Sequence, residues 1–115
     1  MLKSIPSLVD TIKESVTTIT ASAAFNESKT NNGIVIDVRE PAEIIESVVP
    51  GAVNIPRGVL EMKILQLYPD ATQPIYIHCA SGVRALFAAE QLQRLGYENV
   101  KAISCTITDI QKACI

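Results

Sequence analysis

The run GIVIDV at positions 33–38 admits few folds. Ile34, Val35, Ile36 and Val38 are apolar and mostly β-branched with almost no alternation, so a strand built from them buries both of its faces. Strands of that kind belong in a parallel sheet covered on each side. PIYIHC at 74–79 has the same character and reads as the central strand, and VKAIS at 100–104 reads as the last one.

The segments between these runs carry helical patterns. Leu8, Val9, Ile12 and Val16 recur at helical spacing, which predicts an amphipathic first helix over Pro6 to Val16 that packs on its own domain or on a partner. Thr17 to Ile19 reads as a short edge strand. Thr20 then suits the N-cap of a helix running to about Lys29, stopped by the turn residues Asn31 to Gly33. In REPAEIIES, Pro41 fits a first helical turn and Glu43 is favourable near the positive end of the helix dipole. PGAVNIP at 50–56 reads as a turn, a short strand and a stop, and GVLEMKILQLYPD at 58–70 as a helix ended by Pro69. Val83 to Leu95 is the clearest helix, with Ala85, Ala88, Ala89, Leu92 and Leu95 as its apolar stripe and Gly96 as its stop. Thr106 to Cys114 is read as a last helix. Strands alternating with helices throughout imply an α/β layer structure with a mostly parallel sheet. The expected organisation is a helical extension over residues 1–16 and a main domain over 17–115.

Composition narrows the function classes. At 115 residues with 48% hydrophobic and 19% charged content, the chain is expected to form one compact soluble domain. A net charge of −2 supplies no basic field for nucleic acid or an anionic membrane, so no such partner is expected. No stretch has the length of a membrane span and the amino terminus lacks the apolar core of a signal peptide, which predicts a cytoplasmic protein. Three cysteines, at 79, 105 and 114, form no CxxC pair, and His78 is the only histidine, so neither a disulfide framework nor a metal site is expected, and no cofactor.

Cys79 stands at the end of the apolar run IYIHC and is followed by the short, small loop ASGV and then Arg84. Sites in open parallel sheets form at the carboxyl ends of strands. There the loop amides and the positive end of the following helix can hold an anion, and the same field favours a thiolate over a thiol. Gly82 removes a Cβ where backbone must approach a ligand or take positive φ, and Arg84 offers a planar fork of donors. The competing reading of Cys79 is a small buried hydrophobe at a strand end. The combined pattern of strand, cysteine, small loop, arginine and helix favours a nucleophile. Cys105 and Cys114 lack that setting and read as structural. His78 should point to the opposite face from Cys79 and read as a packing residue.

IDVREPAE (36–43), VPGAVNIPRG (49–58), IYIHCASGVRA (75–85) and LQRLGYENV (92–100) together resemble, in order, the signatures of the single-domain rhodanese-like sulfurtransferases, the thiosulfate sulfurtransferase family. The resemblance implies a three-layer fold with a five-stranded, mostly parallel sheet flanked by helices. It also implies that Cys79 accepts sulfane sulfur from a donor, such as thiosulfate or a persulfide, and passes it to a thiophilic acceptor. The donor could equally be a protein persulfide. In that scheme Ala80, Ser81, Gly82, Val83 and Arg84 cradle the outer sulfur, with the Arg84 side chain closing the ring or binding the anionic part of a donor. Asp37 and Arg39 map to positions that brace the active loop or line its mouth, against the alternative of an ordinary structural ion pair. Arg57 is either a rim cation or a solvated surface arginine.

Three departures from the family pattern stand out. Ala80 replaces an arginine common after the cysteine, which predicts weaker handling of thiosulfate. Glu46, Ser47 and Val48 stand where a Gly-His pair is usual. AISCTITDIQKACI at 102–115 lacks the usual paired glycines and tryptophan, with Cys105 and Thr106 in the glycines' places, which predicts a remodelled tail at the pocket entrance. Two other functions compete. HCASGVR also resembles the signature of certain dual-specificity phosphatases, but four residues separate Cys79 from Arg84 where the phosphatase loop has five. A binding or regulatory module without turnover would keep the fold and the loop.

Overall fold

A computed structural model describes residues 1–113. Its order is α1 (Ile5–Lys13), β1 (Thr17–Ile19), α2 (Ala21–Asn31), β2 (Ile34–Asp37), α3 (Pro41–Glu46), β3 (Ala52–Asn54), a 3-10 turn (Arg57–Val59) running into α4 (Leu60–Leu67), β4 (Ile75–His78), α5 (Val83–Leu95), β5 (Val100–Ile103) and α6 (Ile107–Ala113). The five strands pair in parallel in the order β1-β5-β4-β2-β3, with β4 at the centre. This is the expected α/β architecture with a parallel sheet between helical layers.

Alternation along β4 divides the core. Ile75, Ile77 and Cys79 join one cluster with Ile36, Ile64, Ala88 and Leu92, on the side of α1, α4 and α5. Tyr76 joins the other with Ala24, Phe25, Val35 and Ile110, on the side of α2 and α6. Every residue of β4 is buried, which is why the run showed no alternation. Among the described residues no helix is long and apolar enough to cross a membrane.

Several boundaries differ from the sequence reading. The first helix ends at Lys13, and Val16 lies just before β1, yet its side chain is as buried as that of Ile12 and in the same cluster. A core position and a helical position share a spacing here without sharing an element. The helix after Thr20 continues to Asn31, where Asn32 takes the left-handed conformation at φ 58°. In α5 the buried stripe includes Leu86, whereas Leu95, at the last helical position, is exposed and lines a shallow groove with Leu65 and Tyr97. Cys114 lies outside the described residues.

Candidate active site

Cys79 follows directly on β4, and its loop turns into α5 at Gly82, whose φ of 97° is the left-handed conformation that glycine adopts without strain. That turn brings the Gly82 N–H back to donate to Cys79 Sγ at 3.0 Å. Cys79 thus lies at the amino end of α5, where helix amides have no intrahelical partner. Cys79 is itself 1% exposed. The sulfur is both packed against the core and hydrogen-bonded by its own loop.

The segment after β5 meets this loop. The Ile107 N–H, opening α6, donates to the Ala80 carbonyl at 2.9 Å. A Cβ placed on Gly82 would stand 3.6 Å from the Ser104 backbone. Thr106 and Asp109 share a side-chain hydrogen bond in the first turn of α6. Cys105 Sγ accepts from the Ala21 N–H at 3.2 Å, at the start of α2, which accounts for it as a structural residue.

Asp37 and Arg39 do form an ion pair, and it is buried. Arg39 is 1% exposed, its Nε and Nη2 bind the Asp37 carboxylate at 2.8–3.1 Å, and its Nη1 and Nη2 donate to the Ser47 hydroxyl and carbonyl at 2.6 and 2.7 Å. Ser47, one of the residues replacing the usual Gly-His pair, is thus the dock for the far side of the guanidinium. The pair ties the end of β2 to the end of α3. His78 lies in register with Asp37 and is fully buried, with Nε2 3.6 Å from Asp37 Oδ2 and no hydrogen bond to either ring nitrogen. Burial holds its pKa below the usual histidine value, against the pull of Asp37.

Arg84 turns its fork onto Glu43, which the sequence by itself places only near a helix dipole. Its Nη1 and Nη2 bind Glu43 Oε1 and Oε2 at 2.6 and 2.8 Å. Glu43 Oε1 also accepts from the Glu40 N–H at 3.0 Å. The Arg84 guanidinium, with that N–H, holds the Glu43 carboxyl down at about 2. The spacing of Glu40 and Glu43 across the start of α3 was a readable helix-start signal. Nothing local pointed to Arg84. Arg57, in the turn after β3, pairs with Glu61 at 2.8 Å, while its N–H donates to the Val38 carbonyl at 3.1 Å.

A cleft of about 360 Å³ opens elsewhere, at the amino-terminal end of the sheet, where Tyr76, Asn31 and Lys101 bond to one another or to Glu27. Those four polar side chains satisfy one another, away from Cys79.

Comparisons with known proteins bear on the family and the fold. The chain is 30% identical over 71 residues to a sulfurtransferase of Allochromatium vinosum, covering 62% of this chain and 64% of that protein. It is 30% identical over 105 residues to a putative mitochondrial thiosulfate sulfurtransferase of Schizosaccharomyces pombe, covering 78% and 74%. The chain spans less than two thirds of the length of the first curated relatives it matches. Its fold superposes with a TM-score of 0.85, at 24% identity and over 98% of this chain and 92% of the other, on a Rhodopseudomonas palustris protein of unknown function described as a possible tyrosine phosphatase. That likeness shows the fold. With the sequence profile of the Rhodanese-like domain matching residues 20–113, from the N-cap of α2 to the last described residue of α6, the chain belongs to the rhodanese-like family.

Proposed function

We propose that the protein is a sulfurtransferase in which Cys79 carries a persulfide. The observation that carries this reading is the Gly82 N–H held 3.0 Å from Cys79 Sγ, at the carboxyl end of the central strand and the head of α5. That N–H fixes the sulfur at the head of the helix, and the thiolate is the nucleophilic form of a cysteine. In the loading step the Cys79 thiolate attacks the outer sulfur of a donor. With thiosulfate, a new S–S bond forms to Cys79, the donor S–S bond breaks and sulfite leaves with the electron pair. With a persulfide RSSH, the product is the Cys79 persulfide and RS⁻, the proton travelling on the transferred sulfur. The exchange follows thiol–disulfide chemistry. In the second step a thiophilic acceptor takes the outer sulfur and returns the thiolate; cyanide, the artificial acceptor, leaves as thiocyanate.

The loop 80–84 is the cradle in this reading, with Asp37 and Arg39 bracing the neighbouring end of β2 and Arg57 at the rim. The resemblance to a putative sulfur carrier of Bacillus subtilis supports protein as well as small-molecule partners. A reducing compartment such as the cytoplasm suits a free thiol at Cys79. The four-residue loop between Cys79 and Arg84 argues against phosphatase chemistry, because the cradle is one residue short of the phosphatase signature.

Intact-mass and peptide mass spectrometry tests the reading, after incubation with thiosulfate or a low-molecular-weight persulfide. The expected result is a gain of one sulfur atom confined to Cys79, reversed by dithiothreitol and absent in Cys79→Ser. No gain from any donor, with the thiol shown to be free, would identify a non-catalytic binding module instead.

A further inference from the structure

We propose, on the basis of the sulfurtransferase reading, that Glu43 sets the donor class by occupying the Arg84 fork, so that the enzyme disfavours anionic donors and takes persulfides whose organic part carries no charge. The three arginines that follow β2, β3 and β4 are each held by a carboxylate: Arg39 by Asp37, Arg57 by Glu61 and Arg84 by Glu43. Position 80, directly after the cysteine, is alanine. Arg39 is 1% exposed and its Nε, Nη1 and Nη2 already bind Asp37 and Ser47, so it is out of a ligand's reach. That leaves Arg84, in the first turn of the helix that follows Cys79, as the cation best placed to receive an anion there.

The Arg84–Glu43 contact is bidentate, the geometry in which a guanidinium also receives a sulfonate or sulfite group. The sulfite part of thiosulfate must therefore displace Glu43 or approach a fork whose charge is already matched. A persulfide with an uncharged organic part needs no such displacement. The two side chains are 38% and 37% exposed, so an anion in solvent can reach the fork. Specificity is obtained by placing a charge against the unwanted ligand as much as by contacts to the wanted one. Glu43 also keeps its charge at any working pH, since the guanidinium holds its carboxyl at about 2. Glu43 acts through Arg84 and is a positioning residue.

The test measures Cys79 persulfide formation against donor concentration, for thiosulfate and for the persulfide of 2-mercaptoethanol, in wild type and Glu43→Gln. Glutamine keeps an oxygen for the Glu40 N–H, and thermal unfolding checks that the variant is folded. Releasing Arg84 should lower the thiosulfate KM about fivefold, the scale of a part-exposed ion pair of ~1 kcal/mol, and leave kcat and the persulfide KM within about twofold. In an Arg84→Gln background the same change at position 43 should have no effect on thiosulfate. An unchanged thiosulfate KM in folded Glu43→Gln, with both donors loading the wild type, would overturn the proposal while leaving the sulfurtransferase reading intact. Failure of both donors to load wild-type Cys79 would overturn that reading, and the proposal with it.

Discussion

Arg39 is the largest fully buried side chain of the molecule, and its charge is tolerated because every side of the guanidinium has a partner. Taking two charges out of water is costly, and a buried pair repays that only when its remaining donors and acceptors are satisfied. Removing one member leaves the other uncompensated. Arg39→Met should therefore destabilise the fold by about 3–5 kcal/mol in urea unfolding, the range for breaking a buried pair from one side. A loss below ~1 kcal/mol would mean that water reaches Asp37 and that the pair is not sealed. At this scale the sequence was partly readable. Asp37 and Arg39 stood out by their place at the end of a strand, but Ser47 was visible only as a departure from a Gly-His pair. Its job as the second dock depends on a chain reversal of eight residues through α3.

Among the elements, α3 and α1 show opposite ways of holding a helix. The six residues of α3 include none that is buried. A helix that short has little stability of its own. It is held at both ends by polar ties, Glu43 to Arg84 at the start and Ser47 to Arg39 at the end. The amphipathic α1 instead docks on α5, with Ile12 and the following Val16 each 3% exposed in the main core. We therefore propose that residues 1–16 are part of the folded unit and not a detachable extension. Deleting residues 2–16 should cost about 3–6 kcal/mol, from two buried aliphatic side chains at ~1.5–3 kcal/mol each. Urea unfolding of the truncated chain measures it, and equal stability would show that the helix is dispensable. Periodicity found this helix but overran its end, because Val16 continues the apolar spacing after the backbone has left the helix. The covered face of α5 was readable except in its last turn, where Leu95 follows the stripe in sequence and solvent in space.

For the whole molecule, two titrations with opposite origins shape acid stability. His78 is buried with no hydrogen bond to its ring nitrogens, flanked by Asp37 and, beyond it, Arg39, and its pKa lies below the ordinary 6.5. The unfolded chain binds that proton first, so stability is full above pH 6.5 and falls as the pH drops below it. Glu43 has its carboxyl lowered from 4.5 to about 2, so the stability it contributes is present above pH 4.5 and is lost as the pH falls towards 2. Chemical unfolding measured from pH 8 to pH 3 should show a first decline beginning near pH 6.5. His78→Leu should flatten that first decline and Glu43→Gln should not. A decline of equal size in His78→Leu would assign it to another group. The elements, their order and the place of Cys79 between the central strand and a helix could be read from the chain alone, because runs of β-branched residues, helical spacing and turn residues act over a few neighbours. The strand order, the company of Arg39 and the pairing of Arg84 with a carboxylate 41 positions away could not. Coulomb and hydrogen-bond energies depend on distance through space, and which charges stand within 3 Å of each other is settled only when β2 and β4 pair side by side and bring their loops to one end of the sheet.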